Sequence, residues 1–163
     1  MNGMGTAERI FTAPDAGVEM VERSDVEAVA GRGLRGDRYF SDVETGTFVT
    51  WDADDDRGDG YDLTLIEQEA IEAIEREAGI ELAPGEHRRN VVTRDVALNH
   101  LVGTRFRVGD VVCRGDRLCE PCGYLQDLTG KNVLDALAHR GGLRADVLET
   151  GTVRPGDRIE TLD

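Results

Sequence analysis

Residues 104–125 read "TRFRVGDVVCRGDRLCEPCGYL" and carry all three cysteines of the chain, Cys113, Cys119 and Cys122. The segments "TRFRVG" and "VVCRG", on either side of Gly109-Asp110, predict two strands joined by a tight turn. Strand alternation puts Cys113 on the face of Val111, which predicts a core position for that thiol. Pro121 fixes its own backbone and restricts Glu120 toward extended geometry, so Cys119 and Cys122 are expected on a bent, non-helical segment.

Working outward, "RIFTA" and "GVEMVE" flank the turn signal Pro14-Asp15, and "VEAVAGRGL" follows a polar break, giving three expected strands in the first third. In "GYDLTLIEQEAIEAIEREAGIEL" the period changes: Leu65, Ile66, Ala70, Ile71, Ile74 and Ala78 fall near one helical face. Thr64 with Glu67 fits a capping box and Gly79 a helix stop. A strand "NVVT", a short helix from Asp95 to Val102 closed by Gly103, and a further helix "NVLDALAHR" ending at Gly141-Gly142 are expected next. The strands "ADVLETG" and "DRIETL" then meet at Arg154-Pro155-Gly156. Short strands punctuated by turns, with three helices among them, predict a mainly β (α+β) fold, a closed or nearly closed β-barrel with peripheral helices. At 163 residues, with no linker or repeat, one domain spanning 1–163 is expected.

Apolar residues make up 39% of the chain and charged residues 32%, a composition that supports a folded core, and no apolar run approaches a membrane span. The opening "MNGMGTAERIFTAP" lacks the basic end and apolar stretch of a signal peptide, so reduced thiols in the cytoplasm are expected. A net charge of −14 disfavours nucleic acid, whose binding depends on neutralising phosphates. Lys131 is the only lysine, against eighteen arginines, and acid excess with few lysines fits the proteome of a salt-loving archaeon.

Several motifs fail on their spacing. The run "WDADDDRGDGYD", with Asp52, Asp54 and Asp56, has Arg57 and Leu63 where a calcium loop needs glycine and glutamate, so a solvated acidic loop is expected. "GRGLRGDRYF" lacks a nucleotide fingerprint. Its Gly33 and Gly36 permit a bend, while Arg35 and Arg38 either offer planar donors to an anion or pair with Asp37 and other carboxylates. In "HRRNVV", an asparagine at a strand start calls for a use of its amide, and two adjacent arginines on an extended chain face opposite ways, so one can face an anion pocket. Structural zinc wants four ligands, and His87, His100 and His139 are scattered. A thioredoxin-type pair belongs in a different fold. The residues leave one functional thiol, neighboured by Cys119, or inert buried cysteines.

Read in order, "GLRGDRYF", "HRRNVVTRDVALNHLVGTRFRVGDVVCRG", "RLCEPCGYL" and "HRGGLRADVLETGTVRPGDRIE" resemble the MOSC domain family, named for the molybdenum cofactor sulfurase C-terminal region, over about residues 17–162. The resemblance implies a MOSC-type β-barrel with a pocket for a sulfur-carrying or molybdenum–pterin species. Cys122 resembles the molybdenum-ligating cysteine of amidoxime-reducing members, and Arg88 and Asn90 resemble their pterin-contacting pair, with Arg89 facing away. These three residues are therefore expected to converge, with Arg35, Arg38 and Cys119 as further cofactor neighbours. The chain departs from those members in having too few residues ahead of this core for their additional N-terminal β region.

The large sulfurases of the family add an aminotransferase-like domain that uses pyridoxal phosphate. Lys131, the one candidate for its Schiff base, lies outside any such context, so pyridoxal phosphate is not expected. The resemblance implies sulfur carriage, with a cysteine desulfurase as partner, or molybdenum-dependent reduction of N-hydroxylated substrates, with an electron-transfer partner. A noncatalytic module presenting the cofactor to a larger enzyme is the alternative.

Overall fold

Alternating burial builds the molecule from its first strand. In the computed structural model, which describes residues 4–40 and 60–162, β1 (Met4–Thr12) turns Ala7 and Ile10 into one core and Phe11 into another. Strands β2 (Val21–Arg23), β3 (Val26–Val29) and β4 (Gly33–Leu34) follow, so the third strand expected over "VEAVAGRGL" is split by a turn into β3 and β4. Then come β5 (Leu63–Glu67), α1 (Gln68–Ala78), β6 (Val91–Arg94) and a 3₁₀ turn at Leu98–Leu101. The chain ends in β7 (Arg105–Val108), β8 (Val111–Leu118), α2 (Gly123–Thr129), α3 (Val133–Ala136), β9 (Leu143–Glu149), β10 (Gly151–Val153) and β11 (Arg158–Thr161).

The main sheet runs β11-β7-β8-β9-β5-β6-β1-β2, and β1 also pairs with β11, which closes a seven-strand barrel and leaves β2 as an appendage. Closure removes the two unpaired edges that an open sheet of this size would present. Strands β10, β3 and β4 form a separate three-stranded sheet. The β5–β6 pair is parallel. Parallel neighbours need a long crossover, and the segment between Glu67 and Val91, containing α1, provides it.

One register row organises the barrel. Leu118 pairs with Leu143, Leu143 with Leu65, Leu65 with Val91, and Val91 with Ile10. Leu143, Leu65, Val91 and Ile10 are fully buried in the barrel interior. The adjacent residues Ile66, Val92 and Phe11 face outward into a second core covered by Ile74 of α1, Leu125 of α2, and Val133 and Leu137 at α3. Cys113 lies in the barrel core with Val111, as the alternation predicts.

The helix expected to begin at a Thr64–Glu67 capping box begins instead at Gln68, with Glu67 making no side-chain cap. Thr64 belongs to β5, whose residues Leu63–Ile66 are all buried, so the strand loses the polar alternation that distinguishes it from a helix. Gly79 ends α1 in the left-handed conformation, as expected. The Asp95–Val102 helix contracts to the 3₁₀ turn, and "NVLDALAHR" supports only the four residues of α3. Residues 119–122 are non-helical, as Pro121 predicts, and helix α2, which the sequence reading did not anticipate, starts directly after Cys122. The turn at Arg154-Pro155-Gly156 joins β10, not β9, to β11. The acidic run at 52–59 lies outside the described residues. Among the described residues no helix is long and apolar enough to cross a membrane.

Gly142, expected to stop a helix, has a further reason to be glycine. Its φ is 117°, and a Cβ there would run into the carbonyl oxygen of Leu65 on β5. Gly142→Ala is expected to cost about 3 kcal/mol, combining backbone strain with a steric clash, and chemical denaturation would read the loss. His87 gives a pH-dependent counterpart. It is buried edge-on against Phe11, and its Nδ1 accepts the Arg89 backbone N–H at 2.9 Å. Burial, with the charges of Arg89 and Arg9, pushes its pKa down to about 3. Below the ordinary histidine value near 6.5 the unfolded chain takes up a proton that the folded chain refuses. Stability should therefore fall between about pH 6.5 and 3, by up to about 1.4 kcal/mol per pH unit from this group. His87→Gln should flatten that slope in urea titrations at stepped pH.

Candidate functional site

Because β9 and β5 run antiparallel, the register row has one pair of flanking residues on each of its two sides. Cys119 and Gly142 flank it on the Ile66 side, whereas Thr64, paired with Arg144, and Asn90 flank it on the other. A hydrogen bond joins each pair: Cys119 N–H donates to the Gly142 carbonyl at 2.8 Å, and Asn90 N–H to that of Thr64 at 3.1 Å. Cys119, Thr64 and Arg144 all line a cleft of about 110 Å³, together with Arg38, Arg88, Arg89 and the second thiol residue, Cys122. No carboxylate lines the cleft among the described residues. Four guanidiniums without a facing acid, on a chain of net charge −14, make a locally cationic pocket suited to an anion.

Each arginine is positioned differently. Arg88 has φ 65°, the left-handed region, so the simple alternation of an extended chain does not apply and Arg88 and Arg89 both line the cleft. This corrects the expectation that Arg89 faces away. Arg89 is buried: its Nε donates to Gly141 O at 2.8 Å, Nη1 to His87 O at 3.1 Å and Nη2 to Cys119 O at 2.7 Å. Burial lowers its pKa, an effect partly offset by the Cys119 thiol and reinforced by the charge of Arg144. Burial and then the Arg38 charge likewise lower the pKa of Arg88. Both remain cations at neutral pH, and an anion in the cleft would relieve their mutual repulsion.

Arg88 Nη1 donates to Val18 O. Arg38 donates to the buried Asp37 carboxylate and to Arg88 O, each at 3.2 Å, and stacks 4.6 Å from the Tyr39 ring centroid. Arg144 packs 4.9 Å from the ring centroid of Tyr61, and its Nη1 is buried with no hydrogen-bond partner among the described residues. An unpaired buried donor costs about 1–3 kcal/mol, more when charged, so this atom marks where an acceptor belongs.

Of the residues singled out in the sequence, Arg38, Arg88, Cys119 and Cys122 therefore meet at the cleft. Asn90 does not line it. Its amide is consumed in the core, where Oδ1 accepts the Thr64 N–H at 3.0 Å and Nδ2 donates to Phe11 O at 3.1 Å, tying β5 and β1 to the start of β6. Arg35 pairs with Glu27 at 2.9 Å on the surface and stays outside the lining. Lys131 also lies elsewhere, bonded to Glu86 and to Glu81 O. Arg144 and Arg89 are the cleft arginines that sequence reasoning missed. The adjacent-arginine argument placed one inward guanidinium in "HRRN", whereas nothing local to "GGLRAD" sets Arg144 apart from other surface arginines.

The two thiols differ in exposure. Cys119 is buried and Cys122 is exposed, and both are free. The loop between them is held at Cys119 by Arg89 and at Glu120 by His139, whose N–H donates to Oε1 at 2.7 Å while its Nδ1 lies 3.0 Å from Oε2. Cys122 then enters α2 in extended geometry, with φ −134° and ψ 169°. Among the described residues no three His, Cys, Asp or Glu side chains gather as metal ligands, so any metal here would draw on a thiolate and a ligand of its own.

The geometry can be compared with known proteins. The YuaD protein from Bacillus subtilis has a similar structure, with a TM-score of 0.78 at 15% identity over 99% of this chain and 97% of that one. YiiM from Geobacillus stearothermophilus gives 0.70 at 14% identity, covering 98% and 75% of the two chains. YiiM from Escherichia coli gives 0.64 at 16% identity, covering 99% and 69%. At such identities the likeness is one of fold. No curated protein matches the sequence. The family model for the MOSC domain matches residues 52–160, well over half of the chain, and with the closed barrel just described the chain belongs to the MOSC domain family.

Proposed function

We propose that this MOSC protein handles sulfur or the molybdenum cofactor through Cys122, acting as a thiolate at the mouth of an arginine-lined cleft. The observation that carries the reading is the exposed, free Cys122 in the same cleft as four guanidiniums and no described carboxylate. A thiolate is both the nucleophile for sulfane sulfur and a soft metal ligand. Guanidiniums are suited to the oxyanions or phosphate of the species it would meet.

The residues present fit a molybdenum–pterin group in their chemistry: Cys122 as the sulfur ligand, with Arg38, Arg88 and Arg144 for the phosphate. When bound, that group supplies two-electron redox chemistry. The chain's own part is to hold the anion, to keep Cys122 open to solvent and to lock the neighbouring loop through Arg89 and His139. The cleft volume of about 110 Å³ falls below the roughly 300 Å³ of a pocket that encloses a cofactor-sized ligand. This favours sulfur carriage over full enclosure of a pterin by these residues. As a carrier, Cys122 attacks the outer sulfur of a persulfide on a cysteine desulfurase. The donor's thiolate leaves and Cys122 holds the persulfide.

The test is metal analysis of protein made in a cofactor-competent host, beside a sulfane-sulfur assay. Cys122→Ser is expected to abolish either load, and Cys119→Ser to reduce it partially. Cys113→Ala should leave loading intact and cost about 1 kcal/mol or more in stability through lost core packing. Loading only in the presence of a partner enzyme would identify a presenting module instead. Neither metal nor sulfane sulfur under any of these conditions would overturn the reading.

A further inference from the structure

The donor inventory of the cleft separates its four arginines. Arg89 spends its guanidinium on three backbone carbonyls, Arg38 on Asp37 and Arg88 O, and Arg88 engages Val18 O. Arg144 is the one whose Nη1 is buried and unpartnered. It sits on β9 in register with Thr64 of β5, which also lines the cleft, and Tyr61 supports its planar face. The ligand that completes it must be an oxygen-rich anion small enough for about 110 Å³. It must also place a reactive atom at Cys122.

We infer that the cleft takes its sulfur from a small dianionic sulfane-sulfur donor of the thiosulfate type, with Arg144 as the anchor of its oxyanion end. The inference rests on reading Cys122 as a sulfur acceptor and names the donor. In the step, the Cys122 thiolate attacks the outer sulfur of thiosulfate. The donor's S–S bond breaks as a new S–S bond to Cys122 forms. Sulfite leaves with the electron pair, and Cys122 retains a persulfide anion. Charge balances, since a thiolate and a dianion become a persulfide anion and a dianion, and no oxidant or reductant is needed. A thiolate and a dianion repel each other in water. Arg38, Arg88 and Arg89 around Cys122 offset that repulsion, while Arg144 orients the leaving sulfite.

Reduced protein is mixed with thiosulfate, sulfite release is measured and the persulfide is located by mass spectrometry. One sulfite per Cys122 persulfide is expected. Arg144→Gln should raise the half-saturating thiosulfate concentration by about tenfold or more, the loss of one charge-assisted contact. Alkylation of Cys122 by uncharged iodoacetamide should be unchanged in that variant, which reports an intact fold and an unaltered thiol. Arg144→Lys should recover part of the affinity, and Arg76→Gln, a distant surface change on α1, should match the parent. Thiosulfate dependence unaffected by Arg144→Gln would overturn the anchor. Absence of sulfite while desulfurase-borne sulfur or molybdenum still loads Cys122 would overturn the donor and leave the functional reading standing. Failure of every source to load Cys122 would remove both.

Discussion

The row of pairings Leu118–Leu143–Leu65–Val91–Ile10 is the constraint on which the rest of the molecule depends. A shift of one residue in any of these ladders would turn its buried side chains outward. It would also displace Cys119 and Gly142 on one side of the row, and Thr64, Arg144 and Asn90 on the other. The same register therefore specifies the barrel core and the assembly of the cleft. Gly142 enforces it by letting the β9 entry pass against the backbone of β5, an approach closed to any residue with a Cβ.

Arg89 is the link from this scaffold to the chemistry. A buried guanidinium with no carboxylate partner among the described residues is costly unless its donors are satisfied. Here carbonyls of His87, Gly141 and Cys119 satisfy them. The charge is thus held close to the thiols by dipoles that neutralise nothing, and the cleft keeps its positive character. Asn90 plays the complementary part on the core side, where its amide ties three strands together. Two neighbouring polar residues accordingly do different work, one facing the site and one the barrel.

The cleft also stands against the charge of its own protein. An excess of fourteen negative charges covers the chain as a whole, yet the pocket gathers guanidiniums whose carboxylate contacts lie to one side or are missing. For Arg35 the surface reading holds, since Glu27 takes its charge. For Arg38, pairing with Asp37 and lining the cleft coexist, because the carboxylate lies behind the guanidinium and outside the lining. Counting arginines along the chain does not separate these cases; the position of the nearest acid does.

The family was legible through the resemblance of its ordered motifs, and the mainly β architecture, the hairpin at Gly109-Asp110 and the core position of Cys113 because turn chemistry and two-residue alternation are local properties. The use of the Asn90 amide was legible too, although the purpose of that use was not. β5 was hidden because burial on both faces erases alternation, and α2 because seven residues opening on glycine carry little helical signal. The meeting of Arg89 and Arg144 with Cys122, and the unpaired Nη1 that distinguishes Arg144, were decided by tertiary structure alone. They arise on or beside β6, β8 and β9, far apart in sequence, and only the pairing of a closed barrel brings these segments together.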